Sequence, residues 1–175
     1  NTAPCIGLAA IQVLAADPDA VMLVTPADHV ITPTSAFVSA VERAVSTVTS
    51  APDTLCLFGI VPTRPATGYG YIERGAALSN TSAGVFSVVR FREKPDLATA
   101  HQFLAAGTFL WNSGIFVWRA ATIMEALKRH QPELHAGLME LARHVGLPTW
   151  NDALADLFPK LPSISIDYAV LEHER

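Results

Sequence analysis

Residues 20–61, AVMLVTPADHVITPTSAFVSAVERAVSTVTSAPDTLCLFGIV, carry a short apolar run at each end and an amphipathic segment between the two runs. The runs Ala20–Val24 and Thr54–Val61 have the length and continuity of strands that are buried on both faces. Between them, Thr32 and Pro33 open a helix whose apolar side chains recur with helical spacing, at Phe37, Val38, Val41, Val45 and Val48. Two strands around a helix form a βαβ unit, which predicts a parallel sheet with a right-handed crossover.

The rest of the chain continues this alternation. A helix with Thr2 as its N-cap and Pro4 in its first turn is expected to run through Leu14 and to end near Asp17 and Pro18. Another runs from its cap Asp96 to Ala106, where Gly107 ends it. The remaining periodic segments predict strands over 69–73, 85–92 and 113–118 and helices over 123–130 and 134–145. We therefore expect a single α/β domain over 1–175, arranged as a three-layer sandwich.

Composition excludes several classes of protein. Of the 175 residues, 50% are hydrophobic and 16% are charged, and the mean hydropathy is +0.31. Disorder requires the opposite balance, and no apolar run reaches the roughly 18 residues of a membrane span. The net charge of −4 comes without a basic stripe, which argues against nucleic acid as a partner. With only Cys5 and Cys56 and no signal peptide, we expect a cytoplasmic protein without a membrane partner.

Three polar residues lie next to predicted strands. Asp28 and Lys94 each follow a strand, at the carboxyl end where ligands bind in open α/β sheets, and Asn112 precedes one. Asp28 follows the first strand and is placed to hold Mg²⁺, or it caps the next turn. Lys94 offers a point charge for a phosphate, or it belongs to a solvated charge cluster. Asn112 offers a donor and an acceptor to sugar hydroxyls, or it builds an Asx-turn.

Other motifs are less informative. The glycines of Gly68-Tyr69-Gly70-Tyr71 allow close approach of a ligand to the backbone, although a plain hairpin explains them equally well. Spacing alone does not pair Asp167 with Asp28. The six histidines lack the spacing of a metal motif, and neither cysteine lies in a nucleophile motif.

Taken together, seven blocks of sequence resemble mannose-1-phosphate guanylyltransferases, also called GDP-mannose pyrophosphorylases. The blocks occur in the order found in that family and span nearly the whole chain. They are NTAP (1–4), PADHVI (26–31), FGIVPTRP (58–65), TGYGYI (67–72), FREKP (91–95), LWNSG (110–114) and SIDYAV (165–170).

The resemblance implies a Rossmann-like (GT-A-like) nucleotidyltransferase domain with a mixed, mainly parallel sheet, incomplete at its N-terminus. By the same resemblance Asp28 and Asp167 hold Mg²⁺, and Lys94 joins them as a catalytic residue that faces phosphate. The positions that match mannose-binding residues are Gly70, Glu93 and Asn112, and those that match a segment near the guanine nucleotide are Asn1 and Thr2. The implied substrates are GTP and mannose 1-phosphate, which give GDP-mannose and pyrophosphate.

In the family a glycine-rich loop that cradles the nucleotide phosphates precedes the block that opens here at Asn1. We therefore expect this chain to be the middle section of a larger domain, inactive or nearly so by itself, because such phosphate donors contribute strongly to rate. Two alternatives stay open at this point. One is a non-catalytic sugar-nucleotide-binding or assembly module, and the other is a related enzyme with another base or sugar. The sequence also leaves open whether copies of the chain form a homo-oligomer.

Overall fold

The computed structural model describes residues 1–78 and 84–174. The chain divides into two compact units, one made of Asn1–Met22 with Trp118–His173 and the other containing Leu23–Val117. The single domain expected over 1–175 stays a prediction. None of the described helices is long and apolar enough to cross a membrane.

The helices in the described part of the chain are α1 (Thr2–Ala16), α2 (Thr34–Ser50), α3 (Leu97–Ala106), α4 (Ala120–His130), α5 (Pro132–Ala142) and α6 (Trp150–Leu157). Its strands are β1 (Val21–Val24), β2 (Cys56–Ile60), β3 (Tyr71–Ala77), β4 (Phe86–Arg92) and β5 (Phe109–Arg119). A 3₁₀ turn covers Phe158–Lys160, and a π-helical turn covers Asp167–Leu171. The prediction of an α/β fold is confirmed.

The first unit is built on helix packing. Helices α1, α4 and α5 pack on one another, and α4 also packs on the π-helical turn. Their shared core consists of fully buried apolar side chains, including Ala3, Ala10, Ile123, Leu127, Leu134, Leu138 and Leu141. The close approach of α1 to α5 occurs at Gly7, where any added Cβ would overlap Leu138.

The strands form one sheet with the order β1-β5-β3-β4, in which β2 also pairs with β5. The pairs β2–β5, β3–β5 and β3–β4 are antiparallel, with Tyr71 opposite Trp111 on one side and Arg92 on the other. These three pairs do not fit the expected mainly parallel sheet, and β5 pairs with both strands of the predicted βαβ unit. A continuous apolar run identifies a strand but does not identify its neighbour.

Burial also departs from the prediction. In β1 Met22 is buried whereas Leu23 is 44% exposed, and Ile60 of β2 is 52% exposed. Neither strand is therefore buried on both faces along its whole length, as had been expected. In β4 only Phe91 is buried, and Val89 is 62% exposed.

Capping residues predicted the ends of the helices better than apolar runs predicted the pairing of the strands. Helix α3 has Asp96 as its N-cap and the left-handed Gly107 as its C-cap, as predicted. The cap of α1 is Asn1 rather than Thr2, because the Asn1 side chain accepts a hydrogen bond from the amide of Thr2. The sequence did not predict helix α6, whose N-terminus has no side-chain cap.

Candidate functional site

Gly70, Glu93 and Asn112 meet in the second unit. Gly70 immediately precedes β3, Glu93 follows β4, and Asn112 lies in β5, which pairs with β3. The backbone N–H of Asn112 donates a hydrogen bond to the Gly70 carbonyl at 2.8 Å. A Cβ built on Gly70 would lie 2.5 Å from Glu93 Oε2, 3.0 Å from Phe91 Cζ and 3.3 Å from Asn112 Cβ. The sheet thus brings together all three predicted sugar-binding residues, and we call them the cradle.

Lys94 adds a cation to the cradle. Its Nζ lies 2.7 Å from Glu93 Oε1, and the Lys94 side chain is 55% exposed whereas that of Glu93 is only 6% exposed. The backbone of Lys94 has a φ of 41°, in the left-handed region that residues other than glycine seldom adopt. Neighbouring side chains normally diverge in extended backbone, so this conformation is what allows the pair to close. Strain of this kind is concentrated at functional sites.

Asn112 also has a local structural role. Its Oδ1 accepts a hydrogen bond of 3.3 Å from the amide of Gly114, which is the Asx-turn that the sequence left as an alternative. Ser113 fixes the same turn by donating to the Phe58 carbonyl at 2.7 Å. Gly114 has a φ of 72°, which explains the glycine at this position. The turn therefore fixes the side chain that it presents to the cradle.

Three aromatic and cationic residues beside the cradle were not singled out from the sequence. The ring of Tyr69 lies 5.2 Å from that of Trp111, and the Arg64 guanidinium lies 5.9 Å from each ring. Tyr69 and Trp111 directly precede Gly70 and Asn112, so this edge-to-face ring pair lies next to the backbone from which the cradle is built. The adjacency of aromatic residues to both motif positions was the signal available in the sequence.

Asp28 lies in the exposed loop that follows β1. In the same loop, Pro26 Cγ lies 3.4 Å from the position that a Cβ of Gly114 would take. This contact brings the loop beside the turn that holds Asn112. The predicted metal ligand therefore shares the second unit with the cradle.

Asn1, Thr2 and Asp167 belong to the first unit. Asn1 Oδ1 accepts from the Thr2 amide at 2.9 Å, and Thr2 Oγ1 accepts from the Ile166 amide at 2.8 Å. Asp167 follows Ile166 and opens the π-helical turn. The structure thus places the start of α1 against the segment that carries Asp167, although the resemblance assigned Asn1 and Thr2 to the nucleotide and Asp167 to the metal.

Comparison with known proteins now bears on these positions. Residues 1–147 match the sequence pattern of the family described as Nucleotidyl transferase, and the match includes the cradle, Asp28 and Lys94. The chain is a member of the nucleotidyl transferase family.

Curated relatives of this nucleotidyl transferase carry more specific names. Mannose-1-phosphate guanylyltransferase RfbM of Salmonella typhimurium is 42% identical over 177 residues, which cover 99% of this chain and 36% of that protein. Xanthan biosynthesis protein XanB of Xanthomonas campestris is 43% identical, with 98% and 36% covered. Alginate biosynthesis protein AlgA of Pseudomonas aeruginosa is 42% identical, with 98% and 35% covered. The chain spans little more than a third of the length of these relatives.

Solved structures show the same fold. A mannose-6-phosphate isomerase from Helicobacter pylori matches with a TM-score of 0.79 and 30% identity, covering 100% of this chain and 65% of that one. A protein described as mannose-1-phosphate geranyltransferase from Thermus thermophilus gives the same score and identity and is covered to 48%. The expected nucleotidyltransferase fold is confirmed.

The residues of this nucleotidyl transferase suit Mg²⁺ by the chemistry of their donors. No group of three or more His, Cys, Asp and Glu side chains within 1–78 and 84–174 forms a metal site by itself. Magnesium needs only one or two carboxylates, because it keeps waters and takes oxygens from substrate phosphates. Asp28, in the second unit, and Asp167, in the first, each carry a carboxylate of this kind. Their joint role as ligands stays a prediction.

Two further titratable groups of the nucleotidyl transferase have altered acidity. Burial raises the pKa of the Cys56 thiol to about 11, and its Sγ lies 3.9 Å from the Ala44 carbonyl. A thiol of this kind stays protonated at neutral pH and makes a poor nucleophile. Hydrogen bonds from the backbone and hydroxyl of Thr99 lower the pKa of the Asp96 carboxyl, which caps α3. Burial and helix capping therefore explain both pKa shifts without a catalytic role for either residue.

Proposed function

We propose that the protein to which this chain belongs transfers a guanylyl group from GTP to mannose 1-phosphate, forming GDP-mannose and pyrophosphate. Its membership of the nucleotidyl transferase family supports the reaction class. The name mannose-1-phosphate guanylyltransferase on a relative that is 42% identical supports the choice of substrates. The observation that carries the proposal is the convergence of Glu93 and Asn112 on Gly70.

The cradle is the site for the sugar. A buried carboxylate accepts hydrogen bonds from hydroxyl groups, and an amide both donates and accepts. Glycine at position 70 lets Glu93 Oε2 lie closer to the backbone than any residue with a Cβ would allow. Such a site favours ligands whose hydroxyl groups match these donors and acceptors.

Lys94 binds the phosphate of the sugar phosphate in this proposal. A phosphate oxygen of mannose 1-phosphate attacks the α-phosphorus of GTP, and the bond from that phosphorus to the α–β bridging oxygen breaks as pyrophosphate leaves. The attacking oxygen is already ionised, so no side chain has to remove a proton. The protein's task is to bring two polyanions together in line, and the Lys94 ammonium offsets part of their repulsion.

Asp28 and Asp167 would hold Mg²⁺, which when bound offsets the negative charge of the phosphates. Asn1 and Thr2 lie near the guanine nucleotide in this proposal. We also propose that the protein is cytoplasmic, which agrees with the free thiols of Cys5 and Cys56.

The test is turnover by the protein as encoded by its gene. It is supplied with each of ATP, CTP, GTP and UTP against mannose 1-phosphate, glucose 1-phosphate and galactose 1-phosphate, and release of pyrophosphate is measured. We expect the pair GTP and mannose 1-phosphate to give the highest kcat/KM. Preference for another pair would assign a different nucleotidyl transferase activity, and binding without any turnover would favour the non-catalytic module.

Lys94→Gln tests the phosphate contact. A hydrogen bond to a charged group contributes about 1.5–3 kcal/mol, so KM for mannose 1-phosphate should rise by roughly 10- to 100-fold. Lys128→Gln is the matched control, because Lys128 is equally exposed and pairs with Glu125 at 3.5 Å in α4. An unchanged KM in Lys94→Gln would remove Lys94 from the substrate site.

A further inference from the structure

The segment that leads to Asp167 is tied to the beginning of α1. Residues 162–165 have no regular secondary structure of their own. The Ala3 amide donates to the Ile164 carbonyl at 3.1 Å, and the Ile166 amide donates to Thr2 Oγ1 at 2.8 Å. Two hydrogen bonds therefore join positions that are more than 160 residues apart in sequence, immediately before Asp167.

The hydroxyl of Thr2 has no part in capping its own helix. The Thr2 amide donates to Asn1 Oδ1, the Ala3 amide donates to Ile164, and Pro4 has no amide hydrogen. The first N–H groups of α1, which every helix leaves without partners inside the helix, are thus satisfied without Thr2 Oγ1. The described contact of this oxygen is with the Ile166 amide.

Buried residues on both sides of Asp167 in the sequence hold its backbone in place. Ile166 is buried, as are Ala169, Val170 and Leu171, so the π-helical turn is anchored on both sides of the carboxylate. The Ala169 amide donates to the Ser165 carbonyl at 2.8 Å, which closes the turn from its C-terminal side. The Thr2 hydroxyl fixes the N-terminal side through Ile166. Turns of the π type are frequent at functional sites.

We infer that Thr2 is a positioning residue for Asp167, which it holds in place through the backbone of Ile166. The inference rests on the proposed function in one respect, that Asp167 binds the divalent cation. It gives Thr2 a role other than a direct contact with the nucleotide. Partners of metal ligands in the surrounding shell alter metal affinity about 10- to 100-fold when they are replaced.

The experiment measures binding of Mn²⁺ to the protein without substrates, by the electron paramagnetic resonance signal of the free ion. Mn²⁺ prefers the same oxygen ligands as Mg²⁺. Thr2→Val keeps the shape and removes the acceptor, whereas Thr2→Ser keeps the acceptor. We expect Thr2→Val to weaken Mn²⁺ binding by about tenfold and Thr2→Ser to bind within twofold of the parent protein. Thr49→Val is the control, because it removes a threonine hydroxyl of the second unit, which donates a bond of the same length, 2.8 Å, to the Val45 carbonyl in α2.

Hydrogen exchange at the Ile166 amide supplies a readout that does not depend on any metal. Exchange at this amide should be at least about tenfold faster in Thr2→Val and unchanged in Thr2→Ser. If Thr2→Val does not fold, Thr2→Ala, which adds no bulk, carries the same comparison.

The outcomes separate the two claims. If Asp167→Asn binds Mn²⁺ as tightly as the parent protein, the proposed metal role of Asp167 is wrong. If Asp167→Asn loses the ion while Thr2→Val keeps full affinity, or if the Ile166 amide exchanges at its original rate in Thr2→Val, the positioning role is wrong and the metal role is untouched.

Discussion

Gly70 has only a hydrogen atom where any other residue would place a carbon, and this is what lets Glu93 and Asn112 converge. We predict that Gly70→Ala raises KM for mannose 1-phosphate about tenfold or more, because the new Cβ would lie 2.5 Å from Glu93 Oε2 and displace the carboxylate. Steady-state kinetics at saturating GTP measure the change.

The matched control is Gly68→Ala, two residues away in the same loop. A Cβ at Gly68 meets no heavy atom within 4 Å, so its kinetics should equal those of the parent protein. Equal effects of the two substitutions would trace the loss to stiffening of the loop rather than to the cradle.

The raised pKa of Cys56 predicts how the free energy of unfolding depends on pH. Its folded pKa of about 11 lies above the ordinary value of 9.0, so the unfolded thiol ionises first as the pH rises. The free energy of unfolding should therefore fall between pH 9 and 11, by about 2 kcal/mol from this group, and be unaffected by it below pH 9. Urea denaturation across this range compares the parent protein with Cys56→Ala, which should lack this component. Parallel curves for the two proteins would contradict the prediction.

At the scale of elements, the contact between α1 and α5 rests on Gly7. Leu138 is fully buried against it, so its side chain has no space to retreat from a new methyl group. Gly7→Ala should lower the free energy of unfolding by about 1–3 kcal/mol, measured by urea denaturation. Leu138→Ala should lower the free energy of unfolding less when it is made in the Gly7→Ala protein than when it is made in the parent protein. The reason is that the new methyl group occupies part of the space that leucine vacates. Strict additivity of the two changes would show that the residues do not compete for space.

Elements set by local chemistry were predictable, and those set by distant pairing were not. Asp96 and Gly107 define α3 because a cap and a left-handed stop act on their own helix. The pairing of β1 and β2 with β5 depends on contacts between residues far apart in sequence, which an apolar run does not encode.

The same distinction applies to the site. The cradle residues were predicted from a resemblance between motifs, and the sheet brings them together. The bond from Ile166 to Thr2 joins the two ends of the chain and left no pattern in either segment. Arg64 was missed because its contacts with Tyr69 and Trp111 come from the course of a loop rather than from any periodicity.

At the scale of the whole molecule, all the cradle residues and Lys94 lie in the second unit, and α4 and α5 lie in the first. Mannose 1-phosphate should therefore slow hydrogen exchange at Gly70, Asn112 and neighbouring amides of the second unit, through both direct contact and stabilisation of that unit. Ligand at a hundred times its Kd stabilises the state it binds by about 2.7 kcal/mol, which is ample for mass-spectrometric detection. Amides of α4 and α5 that open by local fluctuation should exchange at the same rate with and without ligand. Uniform protection of both units would show that they unfold as one, and protection confined to α4 and α5 would move the sugar-phosphate site out of the cradle.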